Sequence, residues 1–359
     1  MQIAPSALEP APYSEASGPP RGPDGSGRAR RRRKPQRGIT FLALVVLVAI
    51  AGASGVLRTA KQQVDRISRV PGLTFSPADP NIENFLLVGS DSRVGEDPNS
   101  PDFGAIGDAT AVTGNRSDTI MILRRDKNTG RAALLSLPRD LWVYIPSRGN
   151  ESRINAAYQD GPQALIDTVK DTLKIPVHHY VEIDFQGFKS LVDAIGGVRV
   201  CADTPIRDVH TGLNVTTSGC HILDGVQGLA YARSRHFETL NEVTGVWTED
   251  PSSDLGRIKR QQQFVNTALQ GALAKVKGDP LSAGDVLVSS TGALKLDSGL
   301  DVLGAASALR DAVGSGLAPF SPPVRGKTIR GNAVLLFADG AQAYIDYFSG
   351  LSNTPPVPA

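Results

Sequence analysis

The chain has 359 residues with 38 basic and 36 acidic side chains, a formal net charge of +2, and 40% of its residues are hydrophobic. This composition excludes a disordered polyelectrolyte, a collagen-like repeat and a protein with many membrane spans. The length allows two domains, or one large domain with appendages. The total conceals an uneven distribution of charge. Eight basic and three acidic side chains lie in the first 38 residues, so the rest of the chain has a net charge of −3.

The first 57 residues predict a membrane anchor. Residues 1–38 are rich in Pro, Gly, Ala and Ser and lack an apolar period, so we expect a disordered tail. Residues 39–57 carry no charge, and a helix rising ~1.5 Å per residue nearly crosses a hydrocarbon core of ~30 Å over this length. The arginines before this transmembrane helix place the tail in the cytoplasm and the remaining chain outside the cell membrane. A cleaved signal peptide is the alternative, since small residues at 49–53 resemble a cleavage site.

A linker over residues 58–80 precedes a compact domain predicted for residues 81–350, and residues 351–359 are expected to be flexible. Apolar runs predict strands, Asp126–Gly130 predicts a hairpin turn, and apolar spacing of about 3.6 residues predicts helices. Their irregular alternation favours an α/β domain with three layers, α/β/α, around a central mixed sheet. The predicted strands are 84–88, 119–123, 132–137, 179–183, 198–201, 333–337 and one near Thr328; the helices are 162–173, 185–195, 257–276, 302–313 and 340–348.

The two cysteines of the chain, Cys201 and Cys220, both lie in the part predicted to be exported. In an oxidising compartment they indicate one disulfide, which closes a loop of about 20 residues and contributes about 3 kcal/mol. A metal site that adds His210 and His221 is the alternative, but no CxxC or HxxxH spacing frames these residues. We therefore expect a disulfide.

Charged residues flank the first three predicted strands. They are Asp91 and Arg93 after the first strand, Arg116 and Asp118 before the second, and Arg139 and Asp140 after the third. If these strands run up, down and up as neighbours, all six side chains emerge at one edge of the sheet, where α/β folds usually bind ligands. Each residue taken alone is also explained as a turn residue or a solvated charge.

A second polar group surrounds the predicted start of the long helix. It comprises Arg233, Arg235, Asp254, Arg257, Arg260 and Gln261. Arg257, Arg260 and Gln261 share one helix face, and a helix N-terminus beside arginine favours phosphate. The alternative is an N-cap at Ser253 or Asp254 followed by an exposed basic face. Arginine binds phosphate bidentately, and carboxylates tolerate phosphate only through a cation such as Mg²⁺, so both groups together predict a metal-assisted site for a phosphate or pyrophosphate.

Several sequence blocks resemble the LytR-CpsA-Psr family, in the family's order and over about residues 81–275. The blocks are GSDSR, RSDTIMILR, SLPRDLWVYIP, RINAAY, VEIDFQGFKSLVDAIGGV, LDGVQGLAYARSRH and DLGRIKRQQQF. The resemblance implies a single-span membrane transferase that moves a glycopolymer from a polyprenyl-pyrophosphate carrier to peptidoglycan. The expected acceptor is the 6-hydroxyl of muramic acid, and the product is a phosphodiester link.

The resemblance also implies roles for individual residues. Asp91 and Asp118 match the positions that hold Mg²⁺, Gln261 matches a contact to the head group, and Asp254 matches an acid that acts as the catalytic base. The chain departs from the family pattern at residues 237–251, an insert that separates the two arginine blocks. The pyrophosphate-binding arginines are matched by Arg116, Arg139, Arg233, Arg235 and Arg257, with Arg116 and Arg139 acting in catalysis and Arg93 assisting.

Three other functions remain open at this level. The same residues fit a pyrophosphatase that uses water as acceptor, or a glycan-binding module without turnover. The basic tail fits a membrane-bound DNA-binding regulator, although such a run beside a membrane span is mainly a topology signal, and we expect no nucleic-acid partner. A polyprenyl chain also requires an apolar tunnel, which we expect between the sheet and the helices near residues 162–195.

Overall fold

The computed structural model describes residues 64–91, 117–251, 253–278, 292, 294–302, 304–305, 307–308 and 317–357. The predicted tail and transmembrane helix, together with Arg93 and Arg116, lie outside these ranges, as do the side chains of Asp118 and Asp254. None of the helices within the described ranges has the length and apolarity needed to cross a membrane.

A seven-stranded sheet forms the centre of the fold. Three neighbouring strand pairs in it are parallel and three are antiparallel, so the prediction of a mixed sheet is confirmed. In spatial order the strands are β1 (Ser68–Val70), β14 (Leu294–Asp297), β7 (His179–Ile183), β2 (Ile82–Ser90), β3 (Ser117–Asp126), β4 (Ala132–Leu137) and β15 (Leu317–Phe320).

The first three long strands run up, down and up, as the sequence predicts. β2 and β4 are both antiparallel to β3, which lies between them. Asp126 closes the β3–β4 turn, because its Oδ1 accepts hydrogen bonds from the backbone N–H groups of Asn128 and Thr129 at 2.9 and 2.8 Å. The ends of β2 and β4 and the start of β3 therefore meet at one edge of the sheet, which we call the upper edge.

Smaller sheets and several helices surround the central sheet. The smaller sheets are β5 (Trp142–Ile145) with β6 (Asn150–Arg153), β8 (Val198–Ala202) with β11 (Gly219–Leu223), β16 (Val324–Ile329) with β17 (Asn332–Phe337), and a four-stranded sheet of β10 (Leu213–Val215), β9 (Ile206–Asp208), β12 (Glu238–Asn241) and β13 (Val246–Glu249). The helices are α1 (Asn155–Gln159), α2 (Pro162–Asp167), α3 (Phe185–Ala194), α4 (Gly225–Arg233), α5 (Ser253–Gly278) and α6 (Ala341–Ser349), with a 3-10 turn at Pro146–Arg148 and a π turn at Thr168–Thr172.

Two hydrophobic cores lie on opposite faces of the central sheet. Along β2, Phe85 and Leu87 face one core and Leu86 and Val88 face the other, as the alternation of side chains in a strand requires. Helices α3, α4 and α5 supply residues to the first core, and α2 and α6 supply residues to the second. Helices therefore cover both faces of the sheet, which is the predicted three-layer arrangement.

The structure differs from the predicted domain limits at both ends. Residues 68–70 of the predicted linker form the edge strand β1, and Val64 and Ile67 are buried in the first core. At the other end, the hydroxyl of Tyr344 in α6 donates a hydrogen bond to the carbonyl of Val357 at 2.7 Å, so the expected flexible C-terminus packs on the last helix. A three-residue edge strand is too short for a sequence pattern to reveal, and a backbone carbonyl carries no sequence signal.

Several predicted elements are longer or shorter in the structure. The long helix begins at Ser253 rather than at Arg257, and the helix predicted for residues 162–173 is α-helical only to Asp167. The helix predicted for residues 302–313 is described only at 302, 304–305 and 307–308, and these residues are helical.

The predicted disulfide is present. Cys201 of β8 lies directly opposite Cys220 of β11 in an antiparallel pair, and their sulfur atoms are bonded. The alternative metal site at these cysteines is therefore wrong.

Candidate functional site

Two of the predicted site residues meet at the upper edge of the sheet through a β-bulge. Gly89 pairs with Thr119 and Ser90 pairs with Ser117, so Asp118 is the extra residue of the bulge in β3. Asp91 follows Ser90 directly at the end of β2. The backbone therefore brings Asp91 and Asp118 to neighbouring positions on adjacent strands, as the sequence analysis expects.

The insert at residues 237–251 does not separate the arginine blocks in space. It forms the β12–β13 hairpin, and its ends meet where the N–H of Asp250 donates to the carbonyl of Phe237 at 2.7 Å. Arg260 of α5 holds both ends: its guanidinium donates to Asp250 Oδ2 at 2.9 Å and to the carbonyl of Ser234 at 2.8 Å, and lies 4.4 Å from the ring centre of Phe237. Arg260 therefore serves as a structural link, and the chain beyond the insert returns to the first arginine block.

A cavity of about 350 Å³ lies at the upper edge, between the sheet and helices α3, α4 and α5. Four arginines line it, and they come from three different parts of the chain: Arg139, Arg233, Arg235 and Arg257. Its apolar wall is formed by Ile183, Phe185, Phe188, Leu229 and Ala232. We call it the arginine cavity. It combines cationic groups with an apolar surface, which is the pairing that an anionic head group on a lipid chain requires.

The arginine cavity lies on the face of the sheet that carries α3. Its wall includes the part of the predicted tunnel region formed by Phe185 and Phe188. Helix α2, which covers the first part of that region, packs in the core on the other face. The apolar space next to the arginines is therefore bounded by α3, α4 and α5, and α2 does not line it.

The start of α5 supplies a buried polar face to the site. Arg257, Arg260 and Gln261 are only 3%, 7% and 8% exposed, so the alternative of an exposed basic face is wrong. Gln261 lines the cavity, and its Nε2 donates to Thr119 Oγ1 at 3.3 Å and to the carbonyl of Ala232 at 3.0 Å. This amide ties α5 to both β3 and the end of α4, which fixes Arg257 relative to the upper edge.

Asp208, a residue that the sequence analysis did not select, organises the first arginine block. Its buried carboxylate accepts hydrogen bonds from the hydroxyl of Ser234 at 2.7 Å and from the N–H groups of Arg235 and His236, both at 3.0 Å; the N–H of His210 adds a fourth at 2.9 Å. Burial alone would raise the pKa of Asp208, but the hydrogen bonds from Ser234, His210, His236 and Arg235 lower this pKa below its ordinary value. Asp208 is therefore an anion that fixes the backbone carrying Arg235.

Other side chains shape the cavity wall. The guanidinium of Arg233 lies 4.5 Å from the ring centre of Phe185, so this arginine is stacked on the apolar wall. Asp184 caps α3 by accepting from the N–H of Gly187 at 2.8 Å, and burial raises the pKa of its carboxyl. His236 lies at the rim, where its Nδ1 is 2.8 Å from Glu249 Oε1.

The structure brings most of the predicted site residues together. Arg139, Arg233, Arg235, Arg257 and Gln261 all line the arginine cavity, and Asp91 and Asp118 lie on strands that end or begin beside it. Asp254 lies in the first turn of α5, one turn before Arg257. Arg93 and Arg116 lie outside the described residues. Among the side chains that are described, no three His, Cys, Asp or Glu residues form a group arranged to hold a metal ion.

Sequence reasoning missed Asp208, Phe185, Phe188 and His236. Asp208 stands 27 residues before Arg235, and no pattern links an isolated aspartate to donors so distant. The spacing of the two phenylalanines predicts the apolar face of a helix. Residues of the hydrophobic core have the same spacing, so the pattern does not distinguish a cavity wall from the core. His236 is adjacent to Arg235 in the block YARSRH, so its proximity to the arginines was the one available signal.

The fold and the cavity together define a mixed α/β domain with an arginine-lined amphipathic site at one sheet edge. A family model described as the LytR_cpsA_psr family matches residues 50–340. The chain belongs to this family.

Relatives and solved structures agree with this membership. The chain is 33% identical over 252 residues to a probable cell wall biosynthesis protein, LcpB, of Corynebacterium glutamicum, covering 69% of this chain and 56% of the relative. It is 36% identical over 169 residues to the polyisoprenyl-teichoic acid--peptidoglycan teichoic acid transferase TagU of Enterococcus faecalis, covering 47% and 51%. The chain thus spans about half the length of these curated relatives.

A solved structure supports the fold. The structure of a LytR-Csp2A-Psr enzyme from Actinomyces oris superposes with a TM-score of 0.61 at 25% identity, covering 79% of this chain and 96% of that chain. Because 96% of that chain is covered, the similarity of fold extends over almost the whole of that structure.

Proposed function

We propose that the protein transfers a glycopolymer from a polyprenyl-pyrophosphate carrier to a peptidoglycan hydroxyl, forming a phosphodiester link. One observation carries the proposal: four arginines and an apolar wall line the same cavity at the edge of the sheet. The pyrophosphate binds the arginines, and the first part of the polyprenyl chain lies against Phe185 and Phe188. The name of the TagU relative, a teichoic acid transferase acting between a polyisoprenyl carrier and peptidoglycan, supports this substrate class.

The proposed reaction is a displacement at phosphorus. The oxygen of the acceptor hydroxyl, the 6-hydroxyl of muramic acid, forms a bond to the phosphorus that carries the glycopolymer. The bond from this phosphorus to the bridging oxygen of the pyrophosphate breaks, and polyprenyl phosphate leaves. The arginine forks stabilise the charge that develops on the phosphoryl oxygens, an effect worth about a hundredfold to a thousandfold per group in comparable sites. Asp254 takes the proton of the acceptor hydroxyl in this scheme.

Two carboxylates fit a divalent cation. Asp91 and Asp118 occupy neighbouring positions on adjacent strands at the upper edge, and carboxylate oxygens are the ligands that Mg²⁺ prefers. We propose that these residues hold Mg²⁺, which supplies positive charge to a pyrophosphate that the carboxylates would otherwise repel.

We also propose that the protein is anchored in the cell membrane by one span. Residues 39–57 span the cell membrane once, residues 1–38 remain in the cytoplasm, and the catalytic domain lies outside, beside its lipid-linked donor and the peptidoglycan. The uncharged segment and the arginines that precede it support this topology.

Product analysis tests the function directly. The full-length protein in detergent is incubated with a lipid-linked glycopolymer donor, with and without soluble peptidoglycan strands, and the products are identified by mass spectrometry. We expect a phosphodiester-linked conjugate only when peptidoglycan is present. Equal release of polymer phosphate with and without peptidoglycan would instead assign a pyrophosphatase, and binding without turnover would assign a glycan-binding module.

A paired substitution on one strand tests the metal assignment. Asp118→Asn should lower transfer by about a hundredfold or more, because the loss of one carboxylate weakens the Mg²⁺ site. Asp126→Asn, at the other end of β3, is the matched control, since asparagine can still close the turn there. Millimolar Mg²⁺ should raise the melting temperature of the wild type and of Asp126→Asn but not of Asp118→Asn. An equal Mg²⁺-dependent rise in all three proteins would remove Asp118 from the metal site.

A further inference from the structure

A second cavity, also of about 350 Å³, lies next to the arginine cavity, and no function has been assigned to it above. We call it the Trp142 cavity. The β5–β6 hairpin and α1 supply most of its wall, and Asn332 of β17 completes it. The lining residues that carry a charge or an aromatic ring are Arg139, Asp140, Trp142, Arg148 and Arg153.

The chemistry of the Trp142 cavity differs from that of the arginine cavity. Its wall contains amide and hydroxyl side chains and a tryptophan, whereas the arginine cavity has phenylalanine and aliphatic residues. Three arginines and one aspartate line it, and Asp160 and Glu151 lie beside the wall, where they accept hydrogen bonds from Arg148 and Trp142. An aromatic face combined with amides, a hydroxyl and guanidinium groups is the set that binds the apolar face, the hydroxyls and an acidic substituent of a sugar.

The guanidinium groups retain donors for a ligand. Arg148 uses Nε and Nη2 on Asp160 and Gln159, and Arg153 uses Nη2 on the carbonyl of Ala333. Within the described part of the chain, Nη1 of each arginine makes no hydrogen bond. Both side chains are thus held in place by protein contacts that leave one terminal nitrogen for an anion.

Arg139 is the boundary between the two cavities, because it lines both. Asp140 joins this boundary to the wall of the Trp142 cavity: its Oδ2 is 3.5 Å from Arg139 Nε and its Oδ1 is 3.4 Å from Arg153 Nε. A ligand in the Trp142 cavity therefore approaches the same guanidinium that faces the donor's phosphate.

We propose that the Trp142 cavity binds the acceptor, as an anionic saccharide of the glycan strand. This inference rests on the proposed function. In a displacement at phosphorus the nucleophile enters opposite the leaving group. The leaving polyprenyl phosphate lies toward the apolar wall of the arginine cavity, so the acceptor hydroxyl must enter past Arg139 from the other side. The free carboxylates of the stem peptide that muramic acid carries are the acidic groups that Arg148 and Arg153 bind.

A tryptophan titration measures this binding without any turnover. The chain has two tryptophans, so the Trp247→Phe variant leaves Trp142 as the sole reporter. A soluble disaccharide-peptide of peptidoglycan should change the fluorescence of this variant in a saturable manner. Chitotetraose, a neutral sugar, should bind roughly tenfold more weakly, because it lacks a carboxylate for the arginines. Equal affinity for the two sugars, or a response only to the soluble phosphorylated glycopolymer of the donor, would overturn the acceptor assignment.

Kinetic variants test the same inference during transfer. Trp142→Ala and Arg153→Gln should each raise the KM for the peptidoglycan acceptor about tenfold, while the Kd of the lipid-linked donor stays at the wild-type value. Tyr144→Ala is the matched control, because Tyr144 is an exposed aromatic residue two positions along the same strand that does not line the cavity. An unchanged acceptor KM in both variants, with transfer intact in the wild type, would overturn this inference alone. Absence of transfer in the wild type would overturn the proposed function, and the fluorescence titration would still decide the cavity's ligand.

Discussion

The two edges of the central sheet both collect charged side chains, but they arrange them differently. At the upper edge, four arginines surround a cavity: Arg139, Arg233, Arg235 and Arg257. The opposite edge, where β2 and β7 begin, we call the lower edge. There His179 of β7 lies between Glu83 of β2 at 3.5 Å and Asp297 of β14 at 3.4 Å, and neither cavity described above reaches these three residues. Charges placed around a space can contact a ligand, whereas charges placed around one another connect strands.

The pKa values at the lower edge reflect this mutual arrangement. Burial would lower the pKa of His179, but the carboxylates of Asp297 and Glu83 raise it to about 9. Burial would raise the pKa of Glu83, but His179 and Arg125 lower it to about 2. Both groups are therefore charged over the physiological range, and their attraction joins three neighbouring strands.

The largest expected effect is a loss of transfer activity on substitution of an arginine at the upper edge. Arg257→Gln removes a guanidinium from the arginine cavity, and we expect transfer to fall by about a hundredfold to a thousandfold. The rate is measured with the lipid-linked donor and soluble peptidoglycan. Lys259→Gln is the matched control, because Lys259 is exposed on the same helix turn and should leave the rate within twofold of the wild type.

Arg257 would resemble the charges of the lower edge if its main contribution were to folding. Its side chain is 3% exposed, so the melting temperature of Arg257→Gln must be measured beside the rate. A large fall in melting temperature with an unchanged rate per folded molecule would place Arg257 with the structural charges of the lower edge.

The sequence predicts the upper edge better than the lower edge, for a physical reason. Asp91, Asp118 and Arg139 flank three strands that are consecutive in the chain and lie side by side as antiparallel neighbours, so their meeting follows from strand order and direction. Glu83, His179 and Asp297 lie on strands separated by about a hundred residues, and only the order of the sheet brings them together. Periodicity predicts that a strand exists but not which strand lies beside it.

The same limit explains the other missed features. The β5–β6 hairpin that supplies much of the wall of the Trp142 cavity has strands of only four residues each, and no predicted strand covers them. Asp208 accepts hydrogen bonds from backbone N–H groups. Every residue except proline has such a group, so no pattern of residue types reveals which ones contact Asp208. A site built from side chains near strand ends can be predicted from sequence, but one held by backbone donors cannot.

The second expected effect concerns Asp208, which lines the arginine cavity and also accepts hydrogen bonds from neighbouring protein groups. Asp208→Ala leaves the donors of Ser234, Arg235, His236 and His210 without their acceptor, and we expect the free energy of unfolding to fall by about 3 kcal/mol. Transfer should fall as well, because the backbone that carries Arg235 loses its anchor. Chemical denaturation and the transfer rate measure the two effects.

The dependence of stability on acid pH tests whether the charge of Asp208 stabilises the fold. The pKa of Asp208 is lower in the folded protein than in the unfolded chain, so its stabilisation is present above about pH 4 and is lost as the pH falls through the folded value. The wild type should therefore lose more stability between pH 5 and pH 3 than Asp208→Ala does. Parallel acid profiles for the two proteins would show that the carboxylate charge does not hold the arginine block.

The smallest expected effect tests the lower edge through His179. Because its pKa rises from about 6.5 in the unfolded chain to about 9 in the folded protein, its stabilisation is complete below pH 6.5 and is lost as the pH rises through 9. The wild type should lose about 2 kcal/mol more between pH 6.5 and pH 9.5 than His179→Gln, allowing for partial exposure to solvent. His221→Gln is the control, because His221 contacts Thr217 in an exposed hairpin and no carboxylate among the described residues.

This last prediction also requires that His179→Gln leave transfer unchanged at pH 6.5. The upper edge keeps its arginines and its carboxylates in this variant, and His179 lines neither cavity. If His179→Gln lowered the transfer rate per folded molecule, the charges of the lower edge would have to act on the arginine cavity through β7, whose opposite end supplies Ile183 to the cavity wall. The sheet would then be a connection between its two edges, and the division between ligand-binding and strand-joining charges would no longer hold.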